Sequence, residues 1–549
     1  MFKYIDAIII LGLLVISGLW FGWHHAYGAY GDDAPGYIYL AHDMLTGGDL
    51  VKQDPLVKQA LDWFGAEPLA RFVAPAHYEI ISPIGWTASR YPIGLSLLMA
   101  GAALITGNVL AMYWVVPLSA MSVVILTYLI SLKLFNLSEP WKRLVGLGSA
   151  VVVLGCGLFA QYAAAQPMRE IPSMVFFMLA FYLILLSKKW YVVLLAGLSM
   201  ALSLGIRETS IILLIPLVLT VFMFNKKNWK VVGVCLMGII LGYSIFLVQA
   251  VDITLHKEKF RDKDVTRIAI TSNIDHIQSL AIHNLWNNQG KFKPGVGGLK
   301  QYWEVTQQFS AWPLFIIFII VGAVYLWKKQ RAEFWVLLSW VSGIILLFGM
   351  WINPYPRYIL PILPVLGWLS LVGLFYSHEL FVKLLKIQKT ISVFILVLLG
   401  LSFVLSYQPI YAAQQTRLQT GAPLDRELTY DDLINIQTAI TTVQTDAGTT
   451  GKTPLLLMLG ATKGGLSETI MSHTTIKVIR FPSKDKEQPP LEQLTSFISQ
   501  LQETYTIYLW YDASVSAQEQ RFYNQYVVRP VTTTTTSFQP NISIYAITE

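Results

Sequence analysis

Apolar runs close to twenty residues long recur from Asp6 to Tyr407, separated by short connections in which lysine is frequent. A run of roughly 20 apolar residues spans the hydrocarbon core of a bilayer as a helix. The pattern predicts about eleven transmembrane helices, at 6–23, 109–132, 144–164, 171–187, 190–206, 209–224, 231–250, 312–327, 333–351, 358–376 and 390–407. Two long polar stretches interrupt it, 24–108 and 251–311. After residue 407 the periodicity changes. Pro454–Leu459 reads as a buried strand and Leu491–Thr504 has a helical pattern. Thr506–Tyr511 and Ile542–Ile547 read as strands, with a threonine-rich edge at Thr532–Thr536. The chain therefore divides into a polytopic α-helical membrane domain, 1–407, and a small water-soluble α/β domain, 408–549.

One apolar stretch breaks the rule. Tyr91–Gly107 runs straight into the longer run that starts at Val109, and both could be read as spans. Charge decides against it. The clusters Lys133/Lys142/Arg143, Lys188-Lys189, Lys226-Lys227/Lys230, Lys328-Lys329/Arg331 and Lys383/Lys386/Lys389 all belong inside by the positive-inside rule. They fall on one side only if Tyr91–Gly107 lies along the interface as a juxtamembrane helix. Pro92, Gly94, Gly101 and Gly107 weaken it as a span. This choice puts the N-terminus in the cytoplasm, and both large loops and the C-terminal domain outside.

Composition agrees. The hydrophobic fraction is 54% and only 13% of residues are charged, against roughly 25% in a soluble protein. Mean hydropathy is +0.52. The net charge of +7 sits largely in the short loops that orient the chain, so it does not argue for a nucleic-acid partner. Cys156 and Cys235 fall inside predicted spans and read as small buried apolar residues. The glycine-rich Gly460-Ala461-Thr462-Lys463-Gly464-Gly465 lacks phosphate-loop spacing and reads as a strand-to-helix turn.

Candidate chemistry gathers at the outer ends of the spans. Asp32 and Asp33 follow the first run directly, where a carboxylate is costly unless used or paired. The competing reading is a solvated turn. Three short outer loops carry one arginine each, Arg169, Arg207 and Arg357, and Arg90 ends the first long loop. Orientation does not explain arginines outside, whereas gripping a phosphate does, because the guanidinium fork binds it bidentately. Local pairing is the alternative for two of them, since Glu170 and Glu208 stand next to Arg169 and Arg207. Asp33, Glu170 and Glu208 are the acids on that side. His24, His25, His42 and His77 lie in the first loop, where packing at the interface is favoured over a metal site.

Asp33-Ala34-Pro35-Gly36-Tyr37, followed by Ala41, Met44-Leu45 and Gly48-Asp49, resembles the first-loop acidic motif of GT-C glycosyltransferases. The similarity is to the protein O-mannosyltransferase and aminoarabinose-transferase group. Arg90-Tyr91-Pro92-Ile93-Gly94 is similar to that group's juxtamembrane segment. Gln166–Pro172 resembles its second external loop, with Glu170 at the acidic position. Arg357-Tyr358-Ile359-Leu360-Pro361 is similar to its Arg-Tyr-Leu-Leu-Pro segment. Ala34 departs from the pattern, which has Glu there. The resemblance implies a GT-C fold and transfer of a sugar from a polyprenyl phosphate to an acceptor hydroxyl, with inversion, at the outer face of a prokaryotic cell membrane. It implies Asp33 as general base, with Asp32 and Glu170 assisting. Tyr37, Arg90, Tyr91, Arg169, Arg207, Arg357 and Tyr358 would line the substrate. No cofactor is implied, although the related oligosaccharide transferases use a divalent metal. A lipid or sugar transporter is the competing class; it calls for charges at mid-span and two related halves.

The topology is tested by single-cysteine labelling in intact cells. Cysteines at Asn108 and Lys142 are expected to react from the outside and from the cytoplasm, respectively. Labelling of the Asn108 position from the cytoplasm alone would contradict the interfacial assignment.

Overall fold

The computed structural model describes residues 2–256, 313–349, 355–384 and 430–548, apart from short gaps at 24, 26, 28–32, 48, 66, 76–77, 165–167, 225–227, 460–469, 472–473, 475, 482–488, 513–514 and 537–538. The expected span at 390–407, most of the loop 251–311, and Asp32 lie outside the described residues.

α1 (Phe2–Trp23) opens a helical bundle. The first loop then folds as α2 (Ala34–Thr46), β1 (Val51–Gln53), α3 (Pro55–Phe64), β2 (Tyr78–Ile80) and β3 (Trp86–Ser89). Its strands form an antiparallel sheet in the order β1-β3-β2. Among the described residues, five helical segments are long and apolar enough to cross a membrane: Tyr4–Gly22, Val109–Leu134, Trp229–His256, Arg331–Phe348 and Pro356–Leu380. A bent pair brings the number to six. Helices such as Glu170–Leu186 and Trp190–Ile206 have 17 residues each, about 25 Å at 1.5 Å per residue. That is short of a core roughly 30 Å thick, so the expected eleven crossings exceed what helix length alone establishes.

The bent pair falls on one expected span. The run at 144–164 is not one straight helix. It breaks at Cys156 into Glu139–Gly155 and Gly157–Ala164, which meet at 65°. Cys156 is extended, with φ −71 and ψ 113, and glycine on either side weakens the helix there. The segment Ile93–Thr106 has 14 residues, about 21 Å long, and ends at Gly107 with φ +66. It is too short to cross unaided.

Tight glycine contacts hold the bundle. A side chain at Gly197 would run into the backbone of Cys235 and Gly238, and one at Gly238 into that of Leu194. The helices Trp190–Ile206 and Trp229–Ser244 therefore touch backbone to backbone, as small residues permit in lipid. At the end of the bundle away from the first loop, Asp6 of α1 accepts from Arg143 Nε at 2.7 Å and Nη2 at 3.0 Å, and from Tyr128 Oη at 2.6 Å. This pins α1 to two neighbouring helices.

The C-terminal residues form the expected α/β unit, a mixed sheet in the order β5-β4-β6-β8-β7. The strands are β4 (Thr453–Leu459), β5 (Lys477–Arg480), β6 (Tyr505–Asp512), β7 (Val527–Thr536) and β8 (Gln539–Thr548). The threonine run is indeed on an edge strand, β7. One face carries the helix Tyr430–Thr450. The other is shared: Leu56, Val57, Ala60 and Leu61 of α3 pack with Leu457, Leu509 and Phe497. Asp54 caps α3 through Leu56 N at 2.9 Å and receives Lys477 Nζ of β5 at 2.5 Å. Hydrophobic periodicity shows that α3 has an apolar face but not what covers it, so this joint is invisible in the sequence.

Phe497 is fully buried and meets Phe64 at 5.1 Å and Phe72 at 6.2 Å between ring centroids. Phe497→Ala should cost about 3–5 kcal/mol. Limited proteolysis should then open the first loop and the C-terminal sheet together. Release of the C-terminal part with the first loop still protected would contradict a shared core.

Candidate functional site

Asp33 occupies the N-cap of α2, with φ −111 and ψ −22, yet makes no capping hydrogen bond. An aspartate there ordinarily satisfies its own helix. Here the carboxylate turns to two distant residues. Oδ1 accepts from Tyr91 Oη at 2.6 Å and Oδ2 from Arg357 Nη2 at 2.8 Å.

Tyr91 is fixed from several directions. Its backbone N donates to Ser89 Oγ at 3.2 Å and its carbonyl accepts from Gln249 Nε2 at 3.1 Å. Its ring lies 4.7 Å from that of the fully buried Tyr37. Ser96 Oγ ties the following helix to the Tyr37 carbonyl at 2.8 Å. Gly94 explains the motif around it: a side chain there would collide with the Gly205 carbonyl and Ile206 N. The start of Ile93–Thr106 thus rests directly on the end of Trp190–Ile206, close to Arg207. Burial and the Asp33 carboxylate raise the Tyr91 phenol above its ordinary pKa, so it stays protonated.

The arginines come from three helix junctions. Arg169 is the N-cap of Glu170–Leu186. Arg207 is the single extended residue, φ −149 and ψ 110, between Trp190–Ile206 and the 3-10 turn Glu208–Leu213. Arg357 sits in the 3-10 turn Pro356–Ile362, which Pro356 begins. Their ion pairs are crossed. Arg169 Nη1 reaches Glu208 at 3.3 Å, and Arg207 Nη2 reaches Glu170 at 3.7 Å. Arg357 bridges, with Nε 3.3 Å from Glu170 while Nη2 holds Asp33. Local pairing of sequence neighbours is therefore not what occurs. Nor is Arg357 without an acid: it has none beside it in sequence and two in space. Glu170 is 2% exposed, Arg207 3% and Arg357 4%. Charges this deep need partners, and the three acids balance the three arginines.

Tyr358 joins the group as a ring, 5.1 Å from the Arg207 guanidinium and 5.5 Å from that of Arg357, a cation–π arrangement. Arg90 does not join it; its ion pair is with the buried Glu79 of β2. Asp32, His24 and His77 are outside the described residues. Among the described residues no three His, Cys, Asp or Glu side chains converge to hold a metal ion.

Three features escaped the sequence reading. Met168 presents its sulfur 3.8 Å from Arg357 Nη1. Ser173 links the Ser203 and Ser210 hydroxyls at 3.0 and 2.6 Å. A small cavity opens beside them, lined by Ser173, Met174, Arg207, Thr209, Ser210 and Phe348 among others. Thr209 Oγ1 is buried with no hydrogen-bond partner among the described residues. Serines at 173, 203 and 210 carry no spacing signal, because their meeting depends on three helices.

Comparison with solved structures identifies the fold. The structure of ArnT from Cupriavidus metallidurans bound to undecaprenyl phosphate matches with a TM-score of 0.54 and 12% identity, over 98% of this chain and 97% of that one. The archaeal oligosaccharyltransferase AglB from Archaeoglobus fulgidus, in complex with an inhibitory peptide and a dolichol-phosphate, matches with a TM-score of 0.54 and 12% identity. That match covers 93% of this chain and 69% of that one. The GT-C fold expected from the order of the motifs is the fold found. No protein-family model matches the chain, and neither does any curated protein.

Arg357→Met would leave two carboxylates without their shared cation, one of them deeply buried. Removing one partner of such a pair costs about 3–5 kcal/mol. Thermal unfolding of the purified variant in detergent should show a clear fall in Tm. An unchanged Tm would mean that Arg357 is dispensable to the cluster.

Proposed function

We propose that this chain is a membrane-embedded glycosyltransferase that moves a sugar from a polyprenyl-phosphate donor to an acceptor hydroxyl. The observation that carries the reading is one continuous set of contacts, from Asp33 through Arg357 and Glu170 to Arg207 and the small cavity. It joins a base to cations suited to a phosphate. A fold shared with one protein bound to undecaprenyl phosphate and another bound to a dolichol-phosphate supports the polyprenyl carrier. The acceptor hydroxyl belongs to a protein, a lipid or a glycan.

The membrane domain would carry eleven crossings, with the N-terminus in the cytoplasm and the site and C-terminal domain on the extracytoplasmic face. The donor's phosphate would lie at the interface. Arg207 is suited to it, because its ion pair is long and it lines the cavity with the unpartnered Thr209 hydroxyl. Arg357 is the second cation: its Nη1 contacts the Met168 thioether, a weak acceptor that a phosphate oxygen would outcompete. In the reaction an acceptor hydroxyl gives its proton to Asp33. Its oxygen attacks the anomeric carbon from the face opposite the phosphate, and the carbon–oxygen bond to phosphate breaks. Configuration inverts. Arg207 and Arg357 stabilise the charge that grows on the departing polyprenyl phosphate. Glu170 positions Arg357. A transporter would use charges along its spans, whereas the ion pairs of this cluster lie at helix ends and in loops.

Asp33→Asn keeps size and hydrogen bonding but removes the base. Turnover should fall by roughly 10²–10⁴-fold while donor binding persists. Asp32→Asn should cost less. The measurement is sugar transfer from a polyprenyl-phosphate sugar by purified variants. Normal turnover by Asp33→Asn with a dead Asp32→Asn would move the base by one residue; two active variants would end the general-base reading.

A further inference from the structure

In the structure both oxygens of Asp33 are engaged. Oδ2 carries Arg357 at 2.8 Å and Oδ1 carries the Tyr91 hydroxyl at 2.6 Å. The two bonds differ in kind. The guanidinium supplies charge, and it is locked against the deeply buried Glu170 on its other side. The phenol supplies a neutral O–H aimed at a carboxylate, which is the geometry an acceptor hydroxyl must adopt to surrender its proton.

We propose that the Tyr91 hydroxyl is a placeholder for the acceptor hydroxyl on Asp33, one that keeps water off the base until an acceptor displaces it. The inference rests on the glycosyltransferase reading and adds to it a residue that decides between transfer and hydrolysis.

The chemistry needs such a guard. A base that activates an acceptor hydroxyl activates water equally well. Water in that position would give its proton to Asp33 Oδ1 while its oxygen attacks the anomeric carbon. The bond to phosphate would break with its electron pair, leaving free sugar and polyprenyl phosphate. The donor would be consumed with nothing transferred. A phenol in the same place cannot react. Its raised pKa keeps the proton on oxygen. Its ring is held beside Tyr37, its carbonyl by Gln249 and its backbone N by Ser89, so the oxygen cannot follow the sugar. The Arg169 guanidinium lies over the same ring, 5.8 Å from its centroid. An incoming acceptor has to exchange one O–H···O⁻ bond for another of the same type, which costs little net free energy, and it brings further contacts that a water molecule lacks.

The test uses the full-length protein in detergent with a radiolabelled undecaprenyl-phosphate hexose or pentose and no acceptor. Free sugar released and undecaprenyl phosphate formed are both counted. Tyr91→Phe keeps the ring, its tilted contact with Tyr37 and its backbone bonds, and removes only the hydroxyl. It should release free sugar at least tenfold faster than the wild type. The release should vanish in Tyr91→Phe/Asp33→Asn, which ties it to the base. Loss of structure lowers hydrolysis and cannot mimic this gain; an unaltered Tm checks that Tyr91→Phe is folded. Equal, Asp33-dependent release by the wild type and Tyr91→Phe would overturn the placeholder and leave the glycosyltransferase reading intact. A donor that is untouched by every variant, and untransferred by the wild type in native membranes, would overturn both.

Discussion

Arg357 is the residue on which the site depends. A guanidinium 4% exposed cannot stand alone, since an unpaired charge at that depth is several kcal/mol out of balance. It is satisfied by two carboxylates from two different parts of the chain, Asp33 of the first loop and Glu170 at the start of a bundle helix. That requirement fixes where α2 begins. It also fixes Asp33 in a conformation that its own helix does not need, because the N-cap carboxylate is withdrawn from capping. The crossed pairs Arg169–Glu208 and Arg207–Glu170 extend the same constraint to two further helix junctions.

The rest of the fold delivers these pieces. Backbone contact between Gly94 and Gly205 brings the Tyr91 strand-to-helix connection against the helix that ends at Arg207. The small sheet of the first loop pairs Arg90 with Glu79 and holds α2: Asp43 of that helix accepts from Tyr78 Oη at 3.0 Å and lies 3.4 Å from Lys52 Nζ. α3 then anchors the loop to the C-terminal sheet through a common apolar core. The C-terminal domain is in this way a support for the segment that bears Asp33.

Much of this was legible in the sequence and some was not, for physical reasons. Apolar periodicity located the described bundle helices, most of their ends to within a few residues, because burial in an apolar medium dictates it. The order of loose motifs along the chain was enough for the GT-C fold. The residues Asp33, Glu170, Arg207 and Arg357 were each identified as candidates from their place at span ends. Their pairing was not, because adjacent residues at a helix start point apart, and partners are set by how helices dock. Arg90 looked equivalent to the other arginines, and only the strand pairing that brings Glu79 beside it separates them. The break at Cys156 was signalled by flanking glycines that hydropathy alone outweighed. The hydroxyl cluster at Ser173 depends on three-dimensional placement that composition cannot carry.

The proposed function places the phosphate of a polyprenyl donor against the Asp33–Arg357–Glu170–Arg207 cluster. A structure of the full-length protein in lipid nanodiscs with undecaprenyl phosphate tests it most directly. The phosphate is expected within charge-assisted hydrogen-bonding reach, about 2.7–2.9 Å, of Arg207 and Arg357, with Asp33 facing the oxygen that would carry the sugar. A phosphate bound at another end of the bundle, with this cluster still closed on itself, would contradict it.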